Sequence, residues 1–292
     1  MKKYIYIFCL TALTLGFAAC SSEKLDGESI FVDEDVNTRN EFDKWLYNNY
    51  TLPYNIKVYY KMPDIETNFE YTVAPPDYQK AIELAHIIKY TWLDAYQEVA
   101  GRDFVSAYVP KVLMMIGSPE YQGNGTMVLG TAEGGLKITL NVVNSLTMER
   151  DFLNEYYLKT MHHEFSHILH QTKSYDPSFK LISEGHYVSG DWYYKTDTEA
   201  HQGGFVSPYA SSEANEDIAE LTCIYVTKTE AEWDNIMADA GEDGGPVIEK
   251  KIDMVKRYMK ESWGISMDKL RSVVQRRIND VVAGRVDLDS LN

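Results

Sequence analysis

The spacing of apolar residues divides the chain into two parts that differ in predicted secondary structure. In the first part, alternating or continuous apolar runs predict four short strands. These strands lie at residues 54–60, 109–116, 126–130 and 136–142. Helical spacing in the same part predicts a short helix at 40–49 and a long one at 77–100. Gly134 and Gly135 supply a turn between the last two strands.

The second part of the chain is mainly helical. Leu158, Met161 and Phe165 recur at helical spacing, which predicts a second long helix at 149–171. A stretch rich in Gly, Ser, Tyr and Trp follows without a clear period. Three further helices are then predicted at 213–226, 246–261 and 268–282. This order favours an α+β fold with a small, mostly antiparallel sheet and two long helices, followed by a mainly helical C-terminal half.

Composition and charge narrow the class of protein. The chain of 292 residues is 45% hydrophobic and 25% charged, which is typical of a globular protein. Acidic residues outnumber basic ones by 44 to 28, and the formal net charge of -16 argues against nucleic acid as a partner. With only 9 prolines the chain holds little linker material, so one large domain is expected.

The N-terminal segment carries the pattern of an exported lipoprotein. Lys2 and Lys3 precede an apolar run that ends in small residues directly before Cys20. The pattern predicts a signal peptide at residues 1–19 and lipidation of Cys20, with ordinary cleavage or a retained membrane anchor as alternatives. Cys20 is followed by Ser21 rather than Asp, which favours the outer membrane as the final location.

Domain boundaries follow from this N-terminus. Lipidated Cys20 and a polar tether occupy residues 20–38, the folded domain 39–285 and a tail 286–292. Cys9 leaves with the signal peptide, so Cys223 is the one thiol expected in the domain. No internal disulfide is therefore expected, and the hydrophobic core must stabilise the fold.

The candidate chemistry lies on the second long helix, where His163, Glu164 and His167 form the pattern His-Glu-x-x-His. Residues four apart lie on one face of a helix, so both imidazoles can bind one zinc ion. Glu164, on the adjacent face, is placed to take a proton from a water molecule in the open position of the metal. The sequence therefore predicts one catalytic Zn²⁺ site on this helix.

The third zinc ligand is expected from another part of the chain. His170 lies seven residues after His163, a rise of about 10.5 Å, so the two rings cannot both reach one ion. A metzincin would place its third histidine where Lys173 stands, which excludes that class. Glu216 is the best donor, in a predicted helix whose first turns are acidic. Glu220, four residues further on, is placed to accept the free ring N–H of a ligand histidine.

The residues alone leave several alternatives open. Glu216 and Glu220 also fit an ordinary acidic helix N-terminus. The irregular stretch offers four rival third ligands: Glu184, His186, Glu199 and His201. Tyr209, seven residues before Glu216, either donates its phenol to the oxyanion of the reaction or packs in the core. Cys223 lies either behind the metal site or in the core as a buried thiol.

Longer strings around the motif carry a family resemblance. Residues 159–171, together with 130–140 and 42–50, resemble the substrate import-associated zinc metallohydrolase lipoproteins of Bacteroidetes. The resemblance covers nearly the whole mature chain. It implies a zincin-like fold, a zinc cofactor and a lipoprotein that accompanies a TonB-dependent outer-membrane nutrient transporter and its binding lipoprotein.

A second resemblance covers only two helices. The spacing of Tyr209, Glu216 and Glu220 is similar to that in the metalloprotease domain of anthrax lethal factor. In that domain the corresponding residues donate to the oxyanion, bind zinc and support the site, in that order. The resemblance implies the same three roles for these residues here.

Two functional hypotheses follow. The first is a zinc-dependent peptidase of the gluzincin type, in which Glu164 activates water and Tyr209 stabilises the oxyanion. It acts on a peptide or protein substrate and is held at the outer membrane by its lipid anchor. The second is a non-catalytic lipoprotein of a nutrient-uptake system with a structural metal or none, motivated by the aromatic residues at 187–194. A fourth ligand such as His186 or His201 would favour the second hypothesis, and an open position the first.

Overall fold

A computed structural model describes residues 39–63, 72–121, 127–128, 130–133 and 136–292. Three predictions lie outside these residues: the signal peptide at 1–19, the lipidated Cys20 with its tether up to residue 38, and the turn at Gly134 and Gly135. Residues 41–292 form one compact unit. Within the described ranges, every helix is too short or too polar to cross a lipid bilayer.

Helices precede most of the strands in the first part of the chain. They are α1 (Glu41–Leu46), α2 (Leu52–Tyr54), α3 (Tyr78–Ile88), α4 (Asp94–Ala100) and α5 (Arg102–Tyr108). Single π-helical turns at Tyr47–Thr51 and Lys89–Leu93 join α1 to α2 and α3 to α4. The carboxylate of Asp77 caps α3 by accepting hydrogen bonds from backbone N–H groups two and three residues further on. The helix predicted at 77–100 is therefore continuous apart from one widened turn.

The strand directions differ from those expected. The main sheet contains β1 (Lys57–Tyr59), β2 (Val112–Met115), β5 (Gly130–Glu133) and β6 (Lys137–Leu140), and a separate ribbon pairs β3 (Glu120–Tyr121) with β4 (Met127–Val128). In the main sheet, β1, β2 and β6 are parallel, and β5 is antiparallel to β6. The α+β fold class is confirmed, but the mostly antiparallel sheet is corrected to a mainly parallel one. For β1 and β2 the reason is that α3, α4 and α5 separate them, and a long helical connection returns the chain in the same direction.

Helices make up most of the remaining chain. They are α6 (Arg150–Leu153), α7 (Lys159–Thr172), α8 (Ser178–Ile182), α9 (Asp197–Gln202), α10 (Ala214–Thr227), α11 (Glu230–Trp263) and α12 (Met267–Val282). A π-helical turn at Asn154–Leu158 joins α6 to α7. Helix α11 is longer than the helix predicted at 246–261, because the chain continues through a kink at Gly241, where φ is 62°. Pro246 resembles a helix start in the sequence but lies inside this helix.

Aromatic packing fixes the position of α7. The rings of Trp92 and Tyr96 pack edge-on against Phe165, with centroids 5.4 and 4.8 Å away. All three rings are essentially inaccessible to solvent. The C-terminal segment expected to be a tail also packs Val286 and Leu288 against this core. One face of α7 is thus held by the core, and its other residues are available to the candidate site.

Candidate metal centre

Two helices carry the polar side chains of the candidate metal centre. Helix α7 positions His163, Glu164 and His167, while its apolar residues face the core. Helix α10 packs against α7, and Glu216 lies in its first turn. An acidic side chain suits that position because the N-terminal end of a helix carries a partial positive charge.

Three donor atoms meet between these helices. Nε2 of His163 lies 3.0 Å from Oε2 of Glu216, and Nε2 of His167 lies 3.2 Å from the same oxygen. The two Nε2 atoms are 3.0 Å apart. Catalytic zinc sites bind the metal through three protein ligands, such as two imidazole nitrogens and one carboxylate oxygen. Their fourth coordination position stays open for water or substrate. The chemistry and convergence of this donor set therefore fit a zinc ion.

Glu220 supports His163 from behind. Its Oε1 lies 2.9 Å from Nδ1 of His163, so the ring N–H donates to the carboxylate and leaves Nε2 free for a metal. The other oxygen, Oε2, contacts the ammonium group of Lys159 at 2.9 Å and accepts a hydrogen bond from the Ser207 hydroxyl at 2.6 Å. Burial raises the pKa of Glu220, but Lys159 and His163 outweigh this effect and hold it below the usual range. Glu220 is thus a buried, charged acceptor.

His167 has a different support. Its Nδ1 lies 2.9 Å from Nε2 of His170, and the ring of His170 packs edge-on against Tyr175. Helical rise excluded His170 as a zinc ligand alongside His163, and no other role was predicted for it. The structure places it as the hydrogen-bond partner of His167. Its spacing of three residues on one helix was the available signal, since such residues are neighbours on the helix surface.

Lys159 and Ser207 were not singled out from the sequence. Lys159 lies four residues before His163 on the same helix, so helical spacing was again an available signal. Ser207 lies in an irregular segment between α9 and α10, and no local pattern relates it to Glu220. The hydrogen bond from the Ser207 hydroxyl to Glu220 forms only because tertiary folding places this segment against α10.

Glu164 and Tyr209 lie at the edge of the donor cluster. Burial raises the pKa of Glu164, and the neighbouring His163 and His167 oppose that shift. The ring centroid of Tyr209 lies 5.9 Å from that of His163. Burial and the nearby Glu216 raise the pKa of Tyr209 to about 12, so its phenol keeps its proton near neutral pH.

The rival third ligands lie elsewhere. Nδ1 of His201 lies 2.6 Å from Oδ2 of Asp239, and Glu199 accepts hydrogen bonds from Thr196 in the capping box of α9. Glu184 and His186 are exposed. Among the described residues, two groups of donor side chains lie close enough together to share one metal ion. Neither group includes any of these four alternative ligands.

The second donor group consists of His163, Glu220 and Cys223. Cys223 is fully buried, and its Sγ lies 3.7 Å from Oε1 of Glu220. Burial raises the pKa of this thiol, which disfavours the thiolate that a metal requires. The adjacent ammonium of Lys159 also repels a cation, so we treat this group as the support of His163. Cys223 is both behind the metal site and buried in the core.

The fold and the donor set together fit a catalytic zinc site of the kind that metallopeptidases contain. Comparison with known proteins agrees with this class. The sequence model of the family described as "putative zinc-binding metallo-peptidase" matches residues 35–268, and the chain belongs to this family.

A solved structure shares the whole fold. The crystal structure of a putative zinc-binding metallo-peptidase from Bacteroides caccae is 46% identical, with a TM-score of 0.78. The match covers 90% of this chain and 100% of that one. No curated protein matches the chain significantly.

Proposed function

We propose that this protein is a zinc-dependent peptidase of the gluzincin type. In this proposal His163, His167 and Glu216 hold one zinc ion, Glu164 is the general base and Tyr209 is the oxyanion donor. The observation that carries the proposal is the convergence of the three donor atoms beside the half-buried Glu164 on α7. Family membership supports the zinc and the peptidase class.

Each residue has a defined task in peptide hydrolysis. A zinc ion held by His163, His167 and Glu216 would act as a Lewis acid, favouring ionisation of a water molecule and polarising the carbonyl of the cleaved peptide bond. The carboxylate of Glu164 accepts a proton from the attacking water and later delivers it to the leaving amine. The protonated phenol of Tyr209 donates a hydrogen bond to the oxyanion that develops on the carbonyl.

A non-catalytic metal site is less well supported. A fourth protein ligand would favour it, and His186 and His201 were the candidates for that ligand. His186 is exposed and His201 is paired with Asp239. Within the described ranges, the donor group that includes His167 contains three residues, the other two being His163 and Glu216, which supports an open catalytic position.

We also propose that the chain is an outer-membrane lipoprotein anchored through Cys20. The support comes from the apolar N-terminal run, the small residues before Cys20 and the absence of Asp at position 21. The family resemblance of the sequence further suggests association with a TonB-dependent transporter and its binding lipoprotein. The net charge of -16 supports the exclusion of nucleic acid as a partner.

The decisive test of peptidase activity is the substitution Glu164→Gln. Removal of the general base is expected to lower kcat by at least about 100-fold while leaving the zinc content unchanged. The measurements are turnover of a mixed peptide library and metal analysis of the same purified samples. Glu242→Gln, which removes an exposed glutamate from α11, is the matched control and should keep full activity. Full activity of Glu164→Gln would refute the proposed mechanism.

A further inference from the structure

A row of aromatic rings leads from the candidate metal centre to the surface. The ring of Tyr209 lies 5.9 Å from that of His163, and Trp192 packs edge-on against Tyr209 at 5.0 Å. Tyr193 packs edge-on against Trp192 at 6.3 Å, and Tyr194 lies 4.0 Å from Tyr193. We call Trp192, Tyr193, Tyr194 and Tyr209 the aromatic row.

The outer end of the aromatic row is open to solvent. Tyr193 is 60% exposed and Tyr194 is 72% exposed, and their rings contact each other. By contrast, Trp192 is half-buried and Tyr209 lies beside the histidines. Adjacent exposed rings are apolar surface that remains in water until a partner covers it. The exposure of the rings therefore increases along the aromatic row, from Tyr209 beside the candidate metal centre to Tyr194 at the surface.

Backbone hydrogen bonds hold the aromatic row in place. Trp192, Tyr193 and Tyr194 belong to a short 3₁₀ helix at Ser189–Tyr194, and Tyr209 begins another at Tyr209–Ser211. The N–H of Val188 donates to the carbonyl of Ser211 at 2.8 Å, and the N–H of Ser189 donates to that of Ser212 at 3.0 Å. The two segments are thus fixed to each other. A preorganised surface loses little conformational entropy when a ligand binds.

We propose that the aromatic row is a substrate subsite that selects peptides with a bulky aromatic side chain close to the scissile bond. This inference rests on the proposed function, because it takes the metal centre as the place of cleavage. An extended peptide advances about 3.3 Å per residue, so the ring-to-ring steps of 5.9, 5.0 and 6.3 Å place Tyr193 within about five residues of the cleaved bond. Aromatic side chains are the class selected because ring edges and faces pack favourably against other rings.

Two measurements on the full mature chain test the subsite. The probes are four peptides of one otherwise uncharged sequence in which a single position near the cleaved bond is Phe, Ala, Asp or Lys. Wild-type protein is used to measure kcat/KM, and Glu164→Gln is used to measure peptide Kd without turnover. The test variant combines Tyr193→Ser with Tyr194→Ser, and both residues are exposed enough that the fold should be retained. Tyr78→Ser is the control, since Tyr78 is 44% exposed and its ring contacts are with Phe42 and Tyr60.

The expected result is a preference for Phe over Ala of about tenfold in both kcat/KM and Kd. That preference should fall below about threefold in the double variant and stay unchanged in Tyr78→Ser, with equal zinc content in all samples. The inference is overturned if the double variant keeps the wild-type preference, or if the wild type prefers Lys, which would indicate cation binding by the rings.

Failure of the subsite and failure of the proposed function are distinguishable. Cleavage of all four peptides at equal rates supports the proposed function and overturns the subsite. Aromatic-selective binding to Glu164→Gln without any cleavage by the wild type supports the subsite as a binding surface and contradicts the peptidase. Absence of both cleavage and selective binding overturns both.

Discussion

The two histidines of the candidate metal centre are held by different acceptors. A buried carboxylate, Glu220, accepts the Nδ1–H of His163, whereas a neutral ring nitrogen of His170 faces Nδ1 of His167. A charged acceptor binds a donor more strongly than a neutral one and makes the opposite ring nitrogen more basic. We therefore expect His163 to be the stronger zinc donor of the two. Lys159 contributes indirectly, because its ammonium group keeps Glu220 charged.

The substitution Glu220→Gln tests this arrangement. We expect it to weaken zinc binding by about 10- to 100-fold, because the amide accepts the ring N–H less strongly than the carboxylate does. Zinc affinity is measured by competition with a chelator of known strength. Glu213→Gln, an exposed glutamate at the start of the same helix, is the control and should bind zinc as the wild type does. An unchanged zinc Kd in Glu220→Gln would show that Glu220 does not support the ligand.

At the scale of elements, a buried ion pair joins α10 to α11 directly beside Glu216. Nζ of Lys251 lies 2.7 Å from Oδ2 of Asp217, and both side chains are 1% exposed. The hydroxyl of Tyr187 donates to the same oxygen, and Lys251 also donates to the carbonyl of Gly204 at 2.8 Å. Burial raises the pKa of Asp217 to about 6, although the charge of Lys251 opposes this. Because Asp217 is next to Glu216 on α10, the ion pair resists rotation of α10 about its axis. It therefore helps to keep the Glu216 side chain directed at the histidines.

A glycine lets α11 approach the neighbouring helix α9. A methyl group at Gly244 would overlap the backbone carbonyl of His201. We expect Gly244→Ala to lower the free energy of unfolding by about 1–3 kcal/mol, since backbone must move to make room. Denaturant unfolding measures the change. Gly190→Ala is the control, because its added methyl meets open space and its φ is not positive, and it should change stability by less than about 0.5 kcal/mol. Equal stability of the two variants would contradict the tight contact.

At the scale of the whole molecule, the candidate zinc joins segments that are distant in sequence. Its ligands lie on α7 and α10, which the irregular stretch and two short helices separate. Among the described residues the free cysteine is Cys223, so a disulfide does not contribute there and the core carries the stability. A metal that binds only the folded chain adds stability by mass action.

Removal of zinc is therefore expected to lower the unfolding midpoint. With free zinc at 100 times its Kd, the loss on chelation is about 2.7 kcal/mol. Thermal unfolding with and without a chelator measures it, and circular dichroism should show the same helical content before unfolding. The double substitution His163→Ala with His167→Ala is the control, because its midpoint should not respond to zinc. A wild-type midpoint that is insensitive to zinc would contradict binding at this site.

Several features were predictable because they depend on neighbours along the chain. The helix at 149–171 and the i, i+4 pair His163 and His167 follow from helical periodicity, and both are present as a continuous helical segment. The acidic start of a later predicted helix made Glu216 the best candidate, but its contact with His163 spans 53 residues and depends on tertiary packing. The mainly parallel sheet was not predicted, because local alternation gives a strand its faces but not the direction of its partner.

The sequence by itself determined the α+β class, the helical face that presents His163, Glu164 and His167, and the acidic character of the chain. Each of these depends on composition or on residues within two turns of one another, so no long-range contact is needed. Only the tertiary structure decided which carboxylate meets the histidines, how His170 and Ser207 are used, and where the aromatic row lies. These depend on the packing of α7 against α10 and of the 3₁₀ segments against each other, which local periodicity does not encode.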